Sequence, residues 1–542
     1  MTTTYSCYVD AHPAFEWQAL LLCASLIHNA GVAPEDIIFH GSPDISESFL
    51  AALRSFGAQF EPTVQFDETH AYCNKIKQAS SKRFSGYDTV VLCDCDLYFL
   101  GPLPQRPEGI SAMGRQVDLG NPPLHMLREI YESAGLKEPE VVPTRYSTKA
   151  SEETFASNWN GGLYVLSTRT LPRFAEAWER FARYLLQDHS DRLGQYRNHI
   201  DQIAFAMALD ETGLPWQTLN PGHNHPTHLP APTYAETAPA SLHYHREQDA
   251  LGQLTYAYSA PHATACATAN AQIRELIGNR FLTDPSFEAV FSNWQQHKGT
   301  ASSQELDHAR GLFREARYMR HSARRLEHLA SLQLDLHGKT VLEFGAGIGE
   351  HSQFFFDRGC SVLSVEPRAS NCAEMRRKHT DPAEYLPAAG HRILQAAATD
   401  ATKIFSQARF QIIYNYGLLY HMTDPLGFLK QSCTLASELY LLETAVSDLV
   451  TSQTQYSEDT TNATNAIEDQ CLLVSRAEIF ETMKSELPYV YVPRTQPAHE
   501  QFLRDWTTPR EMTTGRHSAI FIGSTQPLDE AIFSPELLDY HD

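Results

Sequence analysis

The segment that most restricts the fold is Lys339-Thr340-Val341-Leu342-Glu343-Phe344-Gly345-Ala346-Gly347-Ile348-Gly349, an apolar strand that empties into glycines at alternate positions. Glycines in such a turn adopt backbone conformations closed to other residues and let the chain pass close to a ligand. Ser352 to Arg358 then reads as a helix, so the unit is strand, tight turn and helix, the opening of an α/β domain. A dinucleotide-type fingerprint would require glycine at position 350, where Glu350 stands. Two more strands follow. Cys360-Ser361-Val362-Leu363-Ser364-Val365-Glu366-Pro367 ends in an acid, and the run from Phe410 to Gly417 leads into Leu418-Leu419-Tyr420-His421-Met422-Thr423-Asp424-Pro425.

In this order, with Thr399-Asp400-Ala401 between them, these motifs resemble the class I S-adenosylmethionine-dependent methyltransferases over about residues 325 to 525. The resemblance implies S-adenosylmethionine as cofactor. Glu343, Gly345, Gly347 and Gly349 would form its turn, Glu366 would accept both ribose hydroxyls, Asp400 would meet the adenine amino group, and Asn415 would complete the cofactor set. His421 follows the carboxyl end of the fourth strand, where a neutral imidazole can take a proton from an acceptor hydroxyl. Bracing of its own loop is the competing role. Asn415-Tyr416-Gly417-Leu418 stands in place of the Asn-Pro-Pro-Tyr-type loop of amino-group methyltransferases, which implies an oxygen acceptor.

A second constellation lies upstream. The apolar run from Tyr87 to Leu100 contains Asp94-Cys95-Asp96, and in an extended segment alternation places both acids on one side. Two carboxylates held together require a compensating cation, and a divalent metal could also bridge the diphosphate of a nucleotide ligand. Two solvated loop acids are the plain alternative. Lys75 and Lys77 stand upstream, and Lys77 is taken as a contact to donor phosphate.

Asp94-Cys95-Asp96, Asn160-Gly161-Gly162 with the strand that follows, and His199-Ile200-Asp201-Gln202 together resemble nucleotide-sugar glycosyltransferases of the GT-A fold, over roughly residues 1 to 260. The resemblance implies Mn²⁺ or Mg²⁺ on Asp94 and Asp96, a nucleotide-sugar donor bordered by Asp94, Asn160, Gly161, Gly162 and Gln202, and a glycan acceptor beside Asp201. Asp201 would be the base if the anomeric centre inverts and a positioning residue if it is retained. A late histidine completes the metal sphere in this family, and His243 and His245 are the candidates here; His223, His225 and His228 compete with them. The family's tail pattern of Gly and Lys after that histidine is absent.

Strands alternating with helices predict an α/β chain in three parts. These are a GT-A-like Rossmann-type domain over 1–262, a helical connector over 263–335 and a class I methyltransferase Rossmann-like domain over 336–542. In the connector, Arg310, Arg314, Arg317, Arg320, Arg324 and Arg325 read as a salt-bridged or solvated face, with a substrate-facing strip as the alternative. Lys and Arg total 43 against 65 Asp and Glu, a net charge of −22, which argues against a nucleic-acid partner. No apolar run approaches the ~18 residues of a membrane span. No secretory signal stands at the N-terminus, and the ten scattered cysteines include no C-x-x-C pair, so a reducing cytoplasmic setting is expected. The expected function is bifunctional: metal-dependent sugar transfer and O-methylation of a glycan, in surface polysaccharide assembly. A methyltransferase acting on a protein or small metabolite, with a glycan-recognising N-terminal domain, is the alternative.

Overall fold

The computed structural model describes residues 1–67, 69–144, 152–229, 238–245, 247–256, 262–380, 390–447, 453–507 and 516–542. It divides into two compact units, Met1–Trp294 and Gln295–Asp542.

The strands of the first unit are β1 (Thr3–Val9), β2 (Ile37–Gly41), β3 (Gln59–Pro62), β4 (Thr89–Cys93), β5 (Leu97–Phe99), β6 (Ala112–Gln116), β7 (Val141–Pro143), β8 (Glu153–Phe155), β9 (Trp159–Ser167), β10 (Trp216–Thr218), β11 (His225–Pro226) and β12 (Ser241–His243). Seven of them form a mixed sheet in the order β10-β6-β9-β4-β1-β2-β3, and β11-β12-β5 form a small second sheet. In the large sheet β1 pairs parallel with β2 and β4, as expected of short, fully buried apolar runs, whereas β9 is antiparallel to β4 and β6. The helix Glu47–Phe56 begins at the Ser46 cap and buries Phe49 and Leu53. Helices Leu171–Tyr184 and Ile200–Thr212 pack on one another, and Tyr164 of β9 stacks on Phe205 with ring centroids 3.7 Å apart. This near-parallel contact ties the middle of the second helix to β9.

The strand ends at Asp94-Cys95-Asp96 as expected, but the expectation that alternation in an extended segment places the two acids on one side is corrected. β4 stops at Cys93 and β5 begins at Leu97 in the other sheet, so Asp94-Cys95-Asp96 is a turn between two sheets. The two acids share a cavity because of that turn, not because of strand alternation.

The second unit contains β13 (Thr340–Phe344), β14 (Ser361–Glu366), β15 (Arg392–Gln395), β16 (Phe410–Tyr416), β17 (Ala436–Val446), β18 (Thr454–Ser457), β19 (Gln470–Leu473), β20 (Tyr489–Pro493), β21 (His517–Ser524) and β22 (Phe533–Ser534). The main sheet runs β15-β14-β13-β16-β17-β21-β20-β22, with β13 to β17 parallel and β21 antiparallel to β17. Strand order reverses on either side of β13, and in open α/β sheets ligands bind outside the strand ends at such a point. β18 and β19 form a separate hairpin.

The stretch expected as a connector is helical but divided. Helix His262–Arg280 belongs to the first unit, the boundary falls inside Pro285–Lys298, and Ser303–Phe313 and Ala316–Ser331 belong to the second. Four of the six arginines from Arg310 to Arg325 form ion pairs among the described residues: Arg310 with Glu374 at 3.0 Å, Arg320 with Glu500 at 2.9 Å, Arg324 with Glu327 at 2.5 Å, and the buried Arg325 with Glu443 at 2.8 Å. Among the described residues, no helix is long and apolar enough to cross a membrane.

Candidate active sites

In the first unit, strand pairing gathers residues that are far apart in sequence. β5 starts directly after Asp96 and pairs antiparallel with β12, Leu97 opposite His243, and the Tyr244 N–H donates to the Asp96 carbonyl at 3.1 Å. This places His243 Nε2 3.3 Å from Asp96 Oδ1. His245, at φ 47°, turns back so that its ring stacks on His243 with centroids 3.7 Å apart. One ligand atom each from Asp96, His243 and His245 lie within 4.8 Å of one another, and His245 Nε2 is buried with no hydrogen-bond partner. Two imidazole nitrogens and a carboxylate oxygen around a common point fit a divalent transition ion.

Asp94 borders the same cavity, of about 330 Å³, but is held by a lysine. Lys75 Nζ lies 2.7 Å from Asp94 Oδ1 and 3.1 Å from Asp201 Oδ2, and donates to the Gly161 carbonyl at 3.2 Å. Burial opposes the charge on Lys75, but Asp201 and Asp94 outweigh it and hold the ammonium well above its ordinary range. Burial in turn raises the Asp94 carboxyl in spite of Lys75. Gln202 Oε1 accepts the Gly161 N–H at 3.1 Å, and Asn160 Oδ1 accepts the Gly162 N–H at 2.9 Å. A Cβ on Gly162 would stand 2.7 Å from His243 Nδ1, so only glycine lets β9 pass this close to the histidine.

The second unit holds a cavity of about 940 Å³ at the carboxyl ends of β13, β14 and β16. Gly345 and Gly347 border it in left-handed backbone, at φ 66° and 57°. Glu366 ends β14. Its Oε2 accepts the Gly347 N–H at 2.9 Å, and its Oε1 accepts the Arg368 N–H at 3.0 Å and Asn371 Nδ2 at 3.1 Å. Burial nevertheless pushes this carboxyl up to about 7. An open glycine turn beside a buried carboxylate at a strand end is a fitting seat for an adenosyl ribose and methionine.

His421 borders the same cavity from the short turn Leu419–His421, and its Nδ1 lies 2.5 Å from Glu458 Oε2. Glu458 Oε1 is 2.7 Å from Arg516. Burial raises this carboxyl, but its bonds to His421, the Ala466 N–H and Arg516 overcome that and bring it down to about 2.

A family model described as a Rhodobacterales glycosyltransferase domain matches residues 6–213, and one described as a methyltransferase domain matches residues 314–517. The chain joins a glycosyltransferase domain to a methyltransferase domain. The second has the class I methyltransferase fold, as its strand order and glycine turn require. Solved structures similar to the chain include the N-terminal domain of EvdMO1 in the presence of SAH and D-fucose, at 17% identity over 42% of this chain and 86% of that one, TM-score 0.28. Another is magnesium protoporphyrin IX methyltransferase (ChlM) from Synechocystis PCC 6803 with bound SAM, at 12% identity over 46% and 97%, TM-score 0.26. A third is the glycopeptide N-methyltransferase MtfA with S-adenosyl-L-methionine, at 14% over 38% and 93%, TM-score 0.27. A search of curated proteins finds no match.

Not every expected residue reaches its cavity. In the glycosyltransferase domain, Lys77 turns away and pairs with Glu179 at 2.9 Å, while Lys75 takes the central place. In the methyltransferase domain, Glu343 lies beneath the turn, where the Ser352 and Ser364 hydroxyls donate to its carboxylate at 2.5 and 2.7 Å. Its register partner across β14 is Ser364, so Glu343 braces the turn from below. Gly349 abuts Met375, Asn415 is buried with its Nδ2 on the Tyr440 hydroxyl at 3.1 Å, and Asp400 lies 3.5 Å from Lys403 on the helix Ala398–Ile404. None of the four borders the large cavity, which Ala397, Ala398 and Thr399 line instead. Glu458 and Arg516 do border it and were not anticipated. Neither stands in a motif, and the hairpin β18–β19 brings Glu458 to His421 only in three dimensions.

Proposed function

We propose that the glycosyltransferase domain moves a sugar from a nucleotide-sugar donor in a GT-A-type, cation-dependent reaction, and that the methyltransferase domain methylates a hydroxyl of a glycan. The observation that supports the first half is that Asp96, His243 and His245 share one cavity with Asn160-Gly161-Gly162 and Gln202. A cation on those three ligands would neutralise charge that develops on the leaving diphosphate. Two imidazoles favour Mn²⁺ over Mg²⁺, which prefers oxygen ligands throughout. Asn160, Gly161 and Gln202 then border the sugar. Asp201, 2% exposed and tied to Lys75, is the carboxylate beside the reacting centre, where it takes the acceptor proton or orients the donor. The anomeric configuration of the product separates those two roles.

In the methyltransferase domain, Gly345 and Gly347 cradle the methionine portion of S-adenosylmethionine and Glu366 accepts the ribose hydroxyls. Bound there, the cofactor supplies a sulfonium methyl group. His421 takes the proton of the acceptor hydroxyl. Its carboxylate partner, and a cavity far larger than a nucleoside needs, support a polar acceptor of sugar size.

Two measurements check this reading. Thermal melting of the purified chain against a panel of nucleotide sugars should show stabilisation by one donor with Mn²⁺ present and none in excess chelator, because ligand on the native state shifts unfolding. Full sugar transfer in chelator would overturn the cation assignment. The second follows from Glu366. Its raised value means that the carboxylate is lost as pH falls through about 7, and with it the acceptor of the ribose hydroxyls. Calorimetric affinity for S-adenosylhomocysteine should therefore fall roughly tenfold from about pH 8 to about pH 6, one decade for each unit below the midpoint. A flat profile would remove Glu366 from the ribose site.

A further inference from the structure

We infer that Glu458 is the positioning residue that makes His421 the base of methyl transfer, by holding the proton on Nδ1 and leaving the Nε2 lone pair for the acceptor. This rests on the O-methylation reading above. The geometry comes from a hairpin inserted between β17 and the helix Arg476–Glu486. Ser457 and Gln470 close the hairpin, the Glu458 N–H donates to the Asp469 carbonyl at 3.0 Å, and the Leu472 N–H ties the hairpin to the His421 loop through the Met422 carbonyl at 3.0 Å.

At the end of that hairpin, Glu458 is 4% exposed, with Oε2 2.5 Å from His421 Nδ1 and 2.8 Å from the Ala466 N–H, and with Oε1 2.7 Å from Arg516. An ionised carboxylate can only accept, so the proton between Oε2 and Nδ1 belongs to the ring. A ring that donates from Nδ1 has its lone pair on Nε2.

The surroundings fix the ring as well as its proton. Tyr420 packs on His421 with centroids 4.0 Å apart, the Tyr456 hydroxyl donates to the Tyr420 carbonyl at 2.5 Å, and the Arg516 guanidinium lies 4.1 Å from the Tyr456 ring. Of the other acids bordering the cavity here, Glu443 is closed on Arg325 at 2.8 Å, Asp424 accepts the Gly427 N–H at 3.0 Å and Asp459 accepts from Thr461 at 2.7 Å. Glu458 is therefore the carboxylate in contact with His421. In the reaction the acceptor O–CH₃ bond forms as the S–CH₃ bond breaks, the bonding pair leaves on sulfur, and the hydroxyl proton passes to Nε2. The resulting imidazolium is paired with the Glu458 carboxylate until the proton leaves to solvent.

The test compares Glu458→Gln, Glu458→Asp and His421→Ala in the full chain. A glutamine amide can donate or accept at Nδ1, so ¹⁵N spectra of histidine-labelled protein should show His421 as the Nδ1–H tautomer in the wild type and as a mixture in Glu458→Gln. With an acceptor glycan, kcat for methyl transfer should fall on the order of 10²-fold in Glu458→Gln, the low end of what a positioned base contributes. KM for S-adenosylmethionine and the calorimetric affinity for S-adenosylhomocysteine should stay unchanged, which also reports an intact fold. Glu458→Asp should restore the tautomer and part of kcat. An Nε2–H tautomer in the wild type, or an unchanged kcat in Glu458→Gln with His421→Ala inactive, would overturn this inference alone. Wild-type methylation by His421→Ala would instead overturn the reading of His421 as base.

Discussion

Asp96→Asn removes Mn²⁺-dependent sugar transfer and leaves the affinity for S-adenosylhomocysteine unchanged. Asparagine keeps the shape of the side chain and its place between β4 and β5 but takes away the anionic oxygen that lies 3.3 Å from His243 Nε2. Loss of even an outer partner of a metal ligand costs 10–100-fold in affinity or activity, so a direct ligand should cost more than about 100-fold. His243→Ala and His245→Ala should each lower Mn²⁺ affinity as well. Lys77→Ala, whose partner is Glu179 outside the cavity, should leave sugar transfer close to wild type. Initial rates with a fixed donor, together with calorimetry on the same preparations, check all of these.

Gly347→Val abolishes cofactor binding while sugar transfer persists. Two costs act together. The residue sits at φ 57°, where an L side chain is penalised by about 1–2 kcal/mol and a β-branched one by more. A Cβ there would also stand 2.6 Å from Phe313 Cε1. Phe313 is 5% exposed and packed with Ala309, Ile348 and Ala463, so its ring or the turn must shift to admit the added carbons. Gly311→Ala, in the same region but with nothing within 4 Å of the added carbon, is the matched control and should bind normally. Glu366→Ala should weaken binding by roughly 10² or more, since charge-assisted hydrogen bonds contribute about 1.5–3 kcal/mol each and two are lost. Calorimetry with S-adenosylhomocysteine reads all three.

The glycine turn of the methyltransferase domain is legible in the sequence because its parts are contiguous: strand, glycines and helix lie within a few residues, and the next strand ends in Glu366. The same contiguity misleads about side-chain direction. Glu343 and Asn415 lie on strands whose register turns them into the core, towards Ser364 and Tyr440, and Asp400 lies on the outward side of a helical turn. In the glycosyltransferase domain, Asp94 and Asp96 are recognisable from the apolar run that carries them. The choice between Lys75 and Lys77 is not legible, because the 3₁₀ segment Ala71–Ser80 has no 3.6-residue period to show which side faces the cavity. His243 and His245 are recoverable only as candidates, since the antiparallel pairing of β5 with β12 brings them to Asp96. Glu458 depends on a hairpin insertion and leaves no sequence signal.

In the proposed function one chain carries out two transfers at two separate sites. Mass spectrometry of an acceptor glycan incubated with the chain, Mn²⁺, nucleotide sugar and S-adenosylmethionine, each omitted in turn, tests it most directly. The wild type should yield a product with one added sugar and one added methyl group, Asp96→Asn should lose the sugar-dependent gain, and Gly347→Val should lose only the methyl group. Methyl groups appearing on protein while the glycan remains unmodified would contradict it.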